Sequence, residues 1–444
     1  MNIKETLEKY KIYLLIPFFG VPIVFNSIFI IKNHSYIFLP LILIFLGISL
    51  NNIKHFPYEL LIAFIIPLLS LLYVKDMYLA FDHFYFFFLY ISLFIIFYNY
   101  KYKERLYNFL IIYSIILFLY VLYQNFYIYP YLLKSNMINE AQRNLIQIKR
   151  LMGTFSLPNI YAFFSLVGAY LSFYMFNKKK NYYYIPAIII NLIAILLTKT
   201  FIAFVLLMIL ALAILYKNNK KLFYYSFGGI ILLILIFLNI RGISSIKSSF
   251  SLRYFNYKSA LNIFWDNPLT GVGVNNFDIF YPVYKYKQAN IIHNAHSLIL
   301  QSLTDLGILG ILFLYFLVKN LYKNRKSHHF ILLIVLFIYF ATDMMFYIPS
   351  VAVLYWILIS INTDYRNKPV VTKLKTYSTA VLIFVYLILS IMVFYTPDRF
   401  YVKNLQDRVN RNKKNENYYS YYLNIYELNY YFRMDKDNVR IDKK

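Results

Sequence analysis

Two histidines, His293 and His296, stand three residues apart in "HNAHSLILQSLTDLGILG" (293–310), at the mouth of an apolar run. Imidazole can take a hydroxyl proton near neutral pH, so the pair offers general-base chemistry that needs no metal. As metal ligands the two lack a third partner at usable spacing, Asp278 being the only nearby candidate, and a metal site ranks well below the alternatives. The bland alternative is an interfacial pair with no chemistry. Cations gather in two long polar segments. Lys134, Arg143, Lys149 and Arg150 lie within 130–158; Arg241, Lys247, Arg253, Lys258, Lys285 and Lys287 lie within 241–295, against only Asp266 and Asp278. Long loops carry such charge without function, but Arg donates paired hydrogen bonds to phosphate oxygens, so the functional reading is an anion site for phosphate or diphosphate.

The elements that must position these residues are membrane helices. Of 444 residues, 61% are hydrophobic and only 14% charged, and the mean hydropathy is +0.55. So little charge cannot cover a water-soluble surface of this size, which makes the bilayer the expected solvent. There is no cysteine, which excludes disulfides, thiolate metal sites and cysteine nucleophiles. The net charge of +26 sits in short clusters between apolar runs rather than on one face, so nucleic acid is not an expected partner. "MNIKETLEKYK" is followed by no small-residue cleavage site, so the first apolar run reads as an uncleaved helix.

Spanning or nearly spanning stretches fall at about 12–31, 36–53, 57–74, 78–98, 106–129, 159–176, 182–197, 200–216, 222–240, 296–318, 329–342, 350–362 and 378–396. The expected fold is an all-α polytopic bundle of 12–13 transmembrane helices with a helical external loop. Lys clusters at 101–105, 178–180, 217–221, 319–326 and 366–375 fall on alternate sides of successive spans. The positive-inside rule then puts the N-terminus in the cytoplasm and loops 130–158 and 241–295 outside. Residues 1–396 form the membrane domain and 397–444 a polar tail.

Within 241–295, Ser251 can cap a helix on which Arg253, Tyr257, Ala260, Leu261 and Phe264 share a face. Asp266-Asn267-Pro268 then breaks it, and Gly271 and Gly273 allow a tight backbone path. A lone GxG without a strand–helix setting is weak evidence for phosphate binding. Gly307 and Gly310 fit close helix packing.

"RYFNYKSALNIFWDNPLTGVGVNNF" followed by "HNAHSLILQSLTDLGILG" resembles the signature region of the O-antigen ligase and O-antigen polymerase superfamily of bacterial membrane glycosyltransferases. There an Arg opens a loop helix, a "D-x-P-x-x-G-x-G-x-x-x-F" turn follows, and a His stands eleven residues before the Gly of "L-G-x-x-G", the spacing of His296 and Gly307. "KRLMGTFSLPNIYAFF" resembles a further family segment. Two departures stand out. Ser297 replaces the usual Asn after the His, and Phe201 in "TKTFIAF" occupies the place of a family Arg, leaving Lys199 as the nearby charge.

The resemblance implies a glycan carried on a polyprenyl diphosphate and transferred at the outer face of the cytoplasmic (inner) membrane, by a metal-independent, inverting reaction without nucleotide sugar or cofactor. It implies Arg253 and Arg150 gripping the diphosphate and His296 taking the acceptor proton. Lys199, His293, Arg143, Tyr257, Gly271 and Gly273 are assigned to the substrate-binding surroundings. With the lipid A-core as acceptor the chain is a ligase, the favoured reading. A lipid-linked glycan acceptor would make it a polymerase, and a Ser or Thr of an exported protein an O-oligosaccharyltransferase. The sugar, and a chain-length regulator as partner, stay open. A transporter or flippase would bury charge along several spans, whereas here the spans are poor in charge, with Asp82 and Asp343 as rare exceptions, and the cations collect at loops.

Overall fold

The computed structural model describes residues 8–16, 19, 39–49, 57–98, 100–134, 143, 146–147, 150–155, 157–363 and 373–395. Most of the first expected span and the whole tail lie outside these residues. Among the described residues none forms a strand, and the helices run in order: α1 (Leu39–Ser49), α2 (Tyr58–Leu69), α3 (Met77–Phe97), α4 (Lys103–Tyr123), α5 (Pro158–Lys179), α6 (Tyr184–Thr198), α7 (Phe201–Asn218), α8 (Lys220–Arg241), α9 (Ile243–Asp266), α10 (Phe277–Tyr284), α11 (Leu298–Leu306), α12 (Ile308–Lys323), α13 (Phe330–Thr342), α14 (Pro349–Asn362) and α15 (Lys373–Tyr395). The fold is an all-α helical bundle.

Two helices show why the bilayer is the solvent. α14, apolar on every side, is buried from Pro349 to Ile361, as expected of a helix at the centre of a core. The equally apolar Lys220–Asn239 stretch of α8 is only 6% buried. Its 20 residues reach across about 30 Å of hydrocarbon, and water would not tolerate that face.

The chain separates into two compact units. The first holds Met1–Phe56, Tyr90–Phe250 and Lys319–Thr376, and the second Pro57–Leu89, Ser251–Val318 and Tyr377–Lys444. In the first unit α5 packs on α4 and α6. Gly168 makes the close approach: a Cβ there would stand 2.6 Å from Ser114 Oγ and 2.7 Å from Asn191 Oδ1. Asn191 Nδ2 donates to Ser114 Oγ at 3.0 Å, so a small residue and a polar link together join apolar helices that gain little from hydrophobic burial in lipid.

At one end of α5 the Lys-rich segments come together. Glu104 receives Lys178 and Lys179 at 2.9 and 2.7 Å, and Tyr170 Oη donates to the His328 carbonyl at 2.9 Å. The clusters around 103, 178 and 326, which charge alternation assigns to one side, are thus neighbours. At the other end of α5, about 33 Å away by its 22 residues, lies Asn159.

Two local expectations are corrected. Ser251 does not cap a helix, because α9 already starts at Ile243 and runs unbroken to Asp266; on it Ala260 is buried but Leu261 is exposed. The stretch 296–318 is not one span. It breaks at Gly307, whose φ is +59° and whose missing Cβ leaves room for the Pro268 carbonyl, 2.6 Å from where that atom would stand.

Candidate functional site

His293, His296, Arg253, Tyr257, Gly271 and Gly273 fall in the second unit, and Arg143, Arg150 and Lys199 in the first. Each set is described by itself.

In the second unit the motif glycines work as backbone spacers. Gly271 and Gly273 take φ of +70° and +95°; a Cβ on the first would meet the Asp305 carbonyl carbon at 2.5 Å, and on the second Val74 Cγ2 at 2.7 Å. Both conformation and space therefore demand glycine. The turn is welded to the end of α11: Val272 and Gly273 amides donate to the carbonyls of Thr304 and Asp305 at 2.8 and 2.9 Å, and Ile308 donates to Pro268 at 2.8 Å. It is also tied to residues 70–79. The Asp76 amide donates to Asn276 Oδ1 at 2.7 Å, Asn276 Nδ2 to the Asp76 carbonyl, and Asn275 Nδ2 to the Leu79 carbonyl at 2.8 Å. Phe277, the Phe of the motif, is fully buried in a cluster with Ala260, Ile263, Tyr281 and Ala295. Tyr281 Oη donates to Asn256 Oδ1 at 2.8 Å and lies 3.0 Å from the Asn290 carbonyl, which ties the loop before the histidines to α9.

His296 leaves this packed base in a strained conformation, φ +50°. A left-handed non-glycine costs on the order of 1–3 kcal/mol and persists only where its surroundings over-determine it. The determinants are visible. On the N-terminal side, buried Ala295 donates its amide to Gln301 Oε1 at 2.6 Å. On the C-terminal side, Ser297 caps α11 by accepting from the Leu300 amide. Tyr257 Oη donates to the His296 carbonyl at 3.2 Å. Ser and Asn are both strong N-caps, so Ser297 keeps the role an Asn would fill. Both histidines precede α11, which starts at Leu298, so they do not share a helical face. His296 is half-buried, whereas His293 is 68% exposed with Asp278 3.9 Å away. Arg253 stands one turn before Tyr257 on α9, about 6 Å along the axis.

The support below His296 contains Asp305, which sequence reading passed over. Its carboxyl accepts from Gln301 Nε2 at 2.9 Å and from the Asn275 amide at 3.3 Å. Burial is the largest influence and lifts its pKa to about 8 against those two hydrogen bonds. α11, with nine residues, is too short to cross a bilayer. A raised carboxyl binds its proton more tightly folded than unfolded. Its contribution to stability is therefore full below about pH 4, and is lost as pH rises toward 8. The melting temperature of the purified protein should fall over that interval, and Asp305→Asn should flatten the fall; an unchanged slope would refute the assignment.

In the first unit, Arg150 Nε donates to the Thr198 carbonyl at 3.1 Å, and Nη2 to Asn159 Oδ1 and Thr200 Oγ1, each at 3.4 Å. The Leu151 amide donates to the Leu197 carbonyl. The "KRLMGTF" and "TKTF" segments are thus stitched together around Lys199, itself left-handed at φ +50°. Behind them Asn159 Nδ2 donates to Asp343 Oδ2 at 2.6 Å, and Tyr339 Oη to the Asn159 carbonyl at 3.0 Å. A line Arg150–Asn159–Asp343 results. Asp343 was legible only as a rare carboxylate interrupting apolar runs; its partner 184 residues away was not. Arg143 donates through Nη1 to the Leu133 carbonyl at 2.8 Å, at the end of a short helix, Tyr129–Lys134, that follows α4.

No curated protein matches the chain. Residues 186–315 match the family model described as O-antigen ligase, a family of glycosyltransferase-like ligases. With the apolar helices, the match supports a multi-pass membrane protein. It spans the Arg253, glycine-turn and His296 motifs that carry the resemblance, and over residues 186–315 the chain is similar to the O-antigen ligase family.

Proposed function

We propose that the protein transfers a glycan from a polyprenyl diphosphate carrier to a hydroxyl of the lipid A-core at the outer face of the cytoplasmic membrane. The carrying observation is the left-handed His296, buttressed through its own carbonyl by Tyr257 on the helix that bears Arg253. Strain maintained by so many supports marks a side chain held for a task. In the step, the acceptor oxygen forms a bond to the anomeric carbon while the bond from that carbon to the diphosphate oxygen breaks. His296 receives the acceptor proton, and the polyprenyl diphosphate leaves with the electron pair. Attack opposite the leaving group inverts the anomeric centre. Diphosphate departs readily once its charge is met, so the donor needs cations rather than a general acid. This reading assigns that role to Arg253 and Arg150 and gives His293 and Tyr257 to acceptor binding, and neither nucleotide nor divalent metal enters the step.

A gel of surface and carrier-linked glycans from cells lacking the gene tests this. Full-length polymer stranded on the carrier, with bare lipid A-core, is the expected result. Single repeats on the acceptor with the ladder lost would identify a polymerase and overturn the ligase reading. Normal pools of both would turn the search to glycosylated proteins.

A further inference from the structure

At the end of α5 remote from Asn159, in the first unit, the chain forms a half-open cavity of about 490 Å³. Its wall includes Lys103, Lys323, Lys326, His328, His329 and Tyr174, and none of the described residues lining it is acidic. The nearest carboxylate in sequence, Glu104, is occupied by Lys178 and Lys179. Ser327 Oγ donates to Asn362 Oδ1 at 3.0 Å on the same wall.

His329 is 2% exposed, and its Nδ1 has no hydrogen-bond partner. Three rings hold it in place, with centroids of Tyr107, Tyr174 and Tyr170 at 5.0, 4.4 and 5.6 Å. A neutral imidazole can donate an N–H. Cations around a space with no acidic residue among its described lining favour an acceptor-rich anion there.

We propose that this cavity binds a phosphate-bearing anion, at the opposite end of α5 from the Arg150 network. Tetrahedral phosphate oxygens suit ammonium groups as point charges and accept from imidazole as well. Basic pockets among helix ends at a membrane surface take phosphorylated lipid headgroups, and free phosphate offers the same oxygens.

The test uses the purified full-length chain and a Lys323→Gln/Lys326→Gln variant. Inorganic phosphate is titrated in detergent while the melting temperature is followed. In parallel, both proteins are reconstituted in vesicles of phosphatidylglycerol and phosphatidylcholine, re-extracted, and weighed intact for retained lipid. Stabilisation of the wild type by phosphate, weakened about tenfold or more in the variant, supports the site with a soluble ligand. Phosphatidylglycerol retained by the wild type and lost from the variant supports it with a headgroup. Neither probe separating two proteins that melt alike without ligand overturns the proposal. Should the double variant not fold, Lys326→Gln alone is read by the same criteria.

Discussion

His296→Asn is expected to lower glycan transfer about a hundredfold or more, the scale on which a positioned general base acts, while leaving the melting temperature nearly unchanged. The choice of Asn matters because His296 sits at φ +50°, and Asn tolerates the left-handed region better than other residues with a side chain. The substitution thus keeps the backbone turn, the Ser297 cap and the Tyr257 hydrogen bond to the residue 296 carbonyl, and removes only the proton acceptor. His296→Ala should lose as much transfer. His293→Ala should be milder, since that ring is exposed and rests beside Asp278. The check is initial-rate transfer by membranes with matched protein levels. Normal transfer by His296→Asn would remove it from the chemistry.

The second large effect concerns the Arg150 line. Arg150→Ala should reduce transfer on the order of a hundredfold, as loss of a charge-stabilising donor does. Asp343→Asn should cost about tenfold to a hundredfold, because the group it steadies is displaced rather than deleted. The mechanism of that loss is specific. Asp343 accepts from Asn159 Nδ2, whose Oδ1 accepts from Arg150, so removing the carboxylate charge loosens the far end of the line. A double variant discriminates: if Asp343 acts through Arg150, adding Asp343→Asn to Arg150→Ala should change transfer little further, whereas independent roles would multiply. Multiplied losses, or a fall in melting temperature that accounts for both, would make the network structural.

What the sequence disclosed depended on range. Apolar runs and the alternating Lys clusters are local signals, and the helices from Leu39 to Tyr395 follow them closely. The glycine turn was also readable, since Gly271 and Gly273 follow the helix-breaking Asp266-Asn267-Pro268 and glycine enters the left-handed region at the least cost. Gly307 misled for a physical reason: it sits inside an apolar run and looks like a packing glycine, yet it ends α11 to admit the Pro268 carbonyl. The start of α9 was hidden because "ISSIKSSFS" offers several serines that each look like a cap, whereas the helix runs through them. The supports of the candidate site were beyond reach. Asn159 with Asp343, and Asn276 with Asp76, join residues 184 and 200 apart, and no periodicity encodes such pairs. The strain at His296 was equally invisible, because it arises from Ala295, Ser297 and Tyr257 acting together.

The most direct measurement is a reconstituted reaction: the purified chain in vesicles, a glycan on polyprenyl diphosphate as donor, lipid A-core as acceptor, and no nucleotide. Glycosylated acceptor and free polyprenyl diphosphate should appear in equal amounts, with an inverted anomeric linkage, and both should vanish with His296→Asn. Product formed only when a nucleotide sugar is supplied, or with the anomeric configuration retained, would contradict the account.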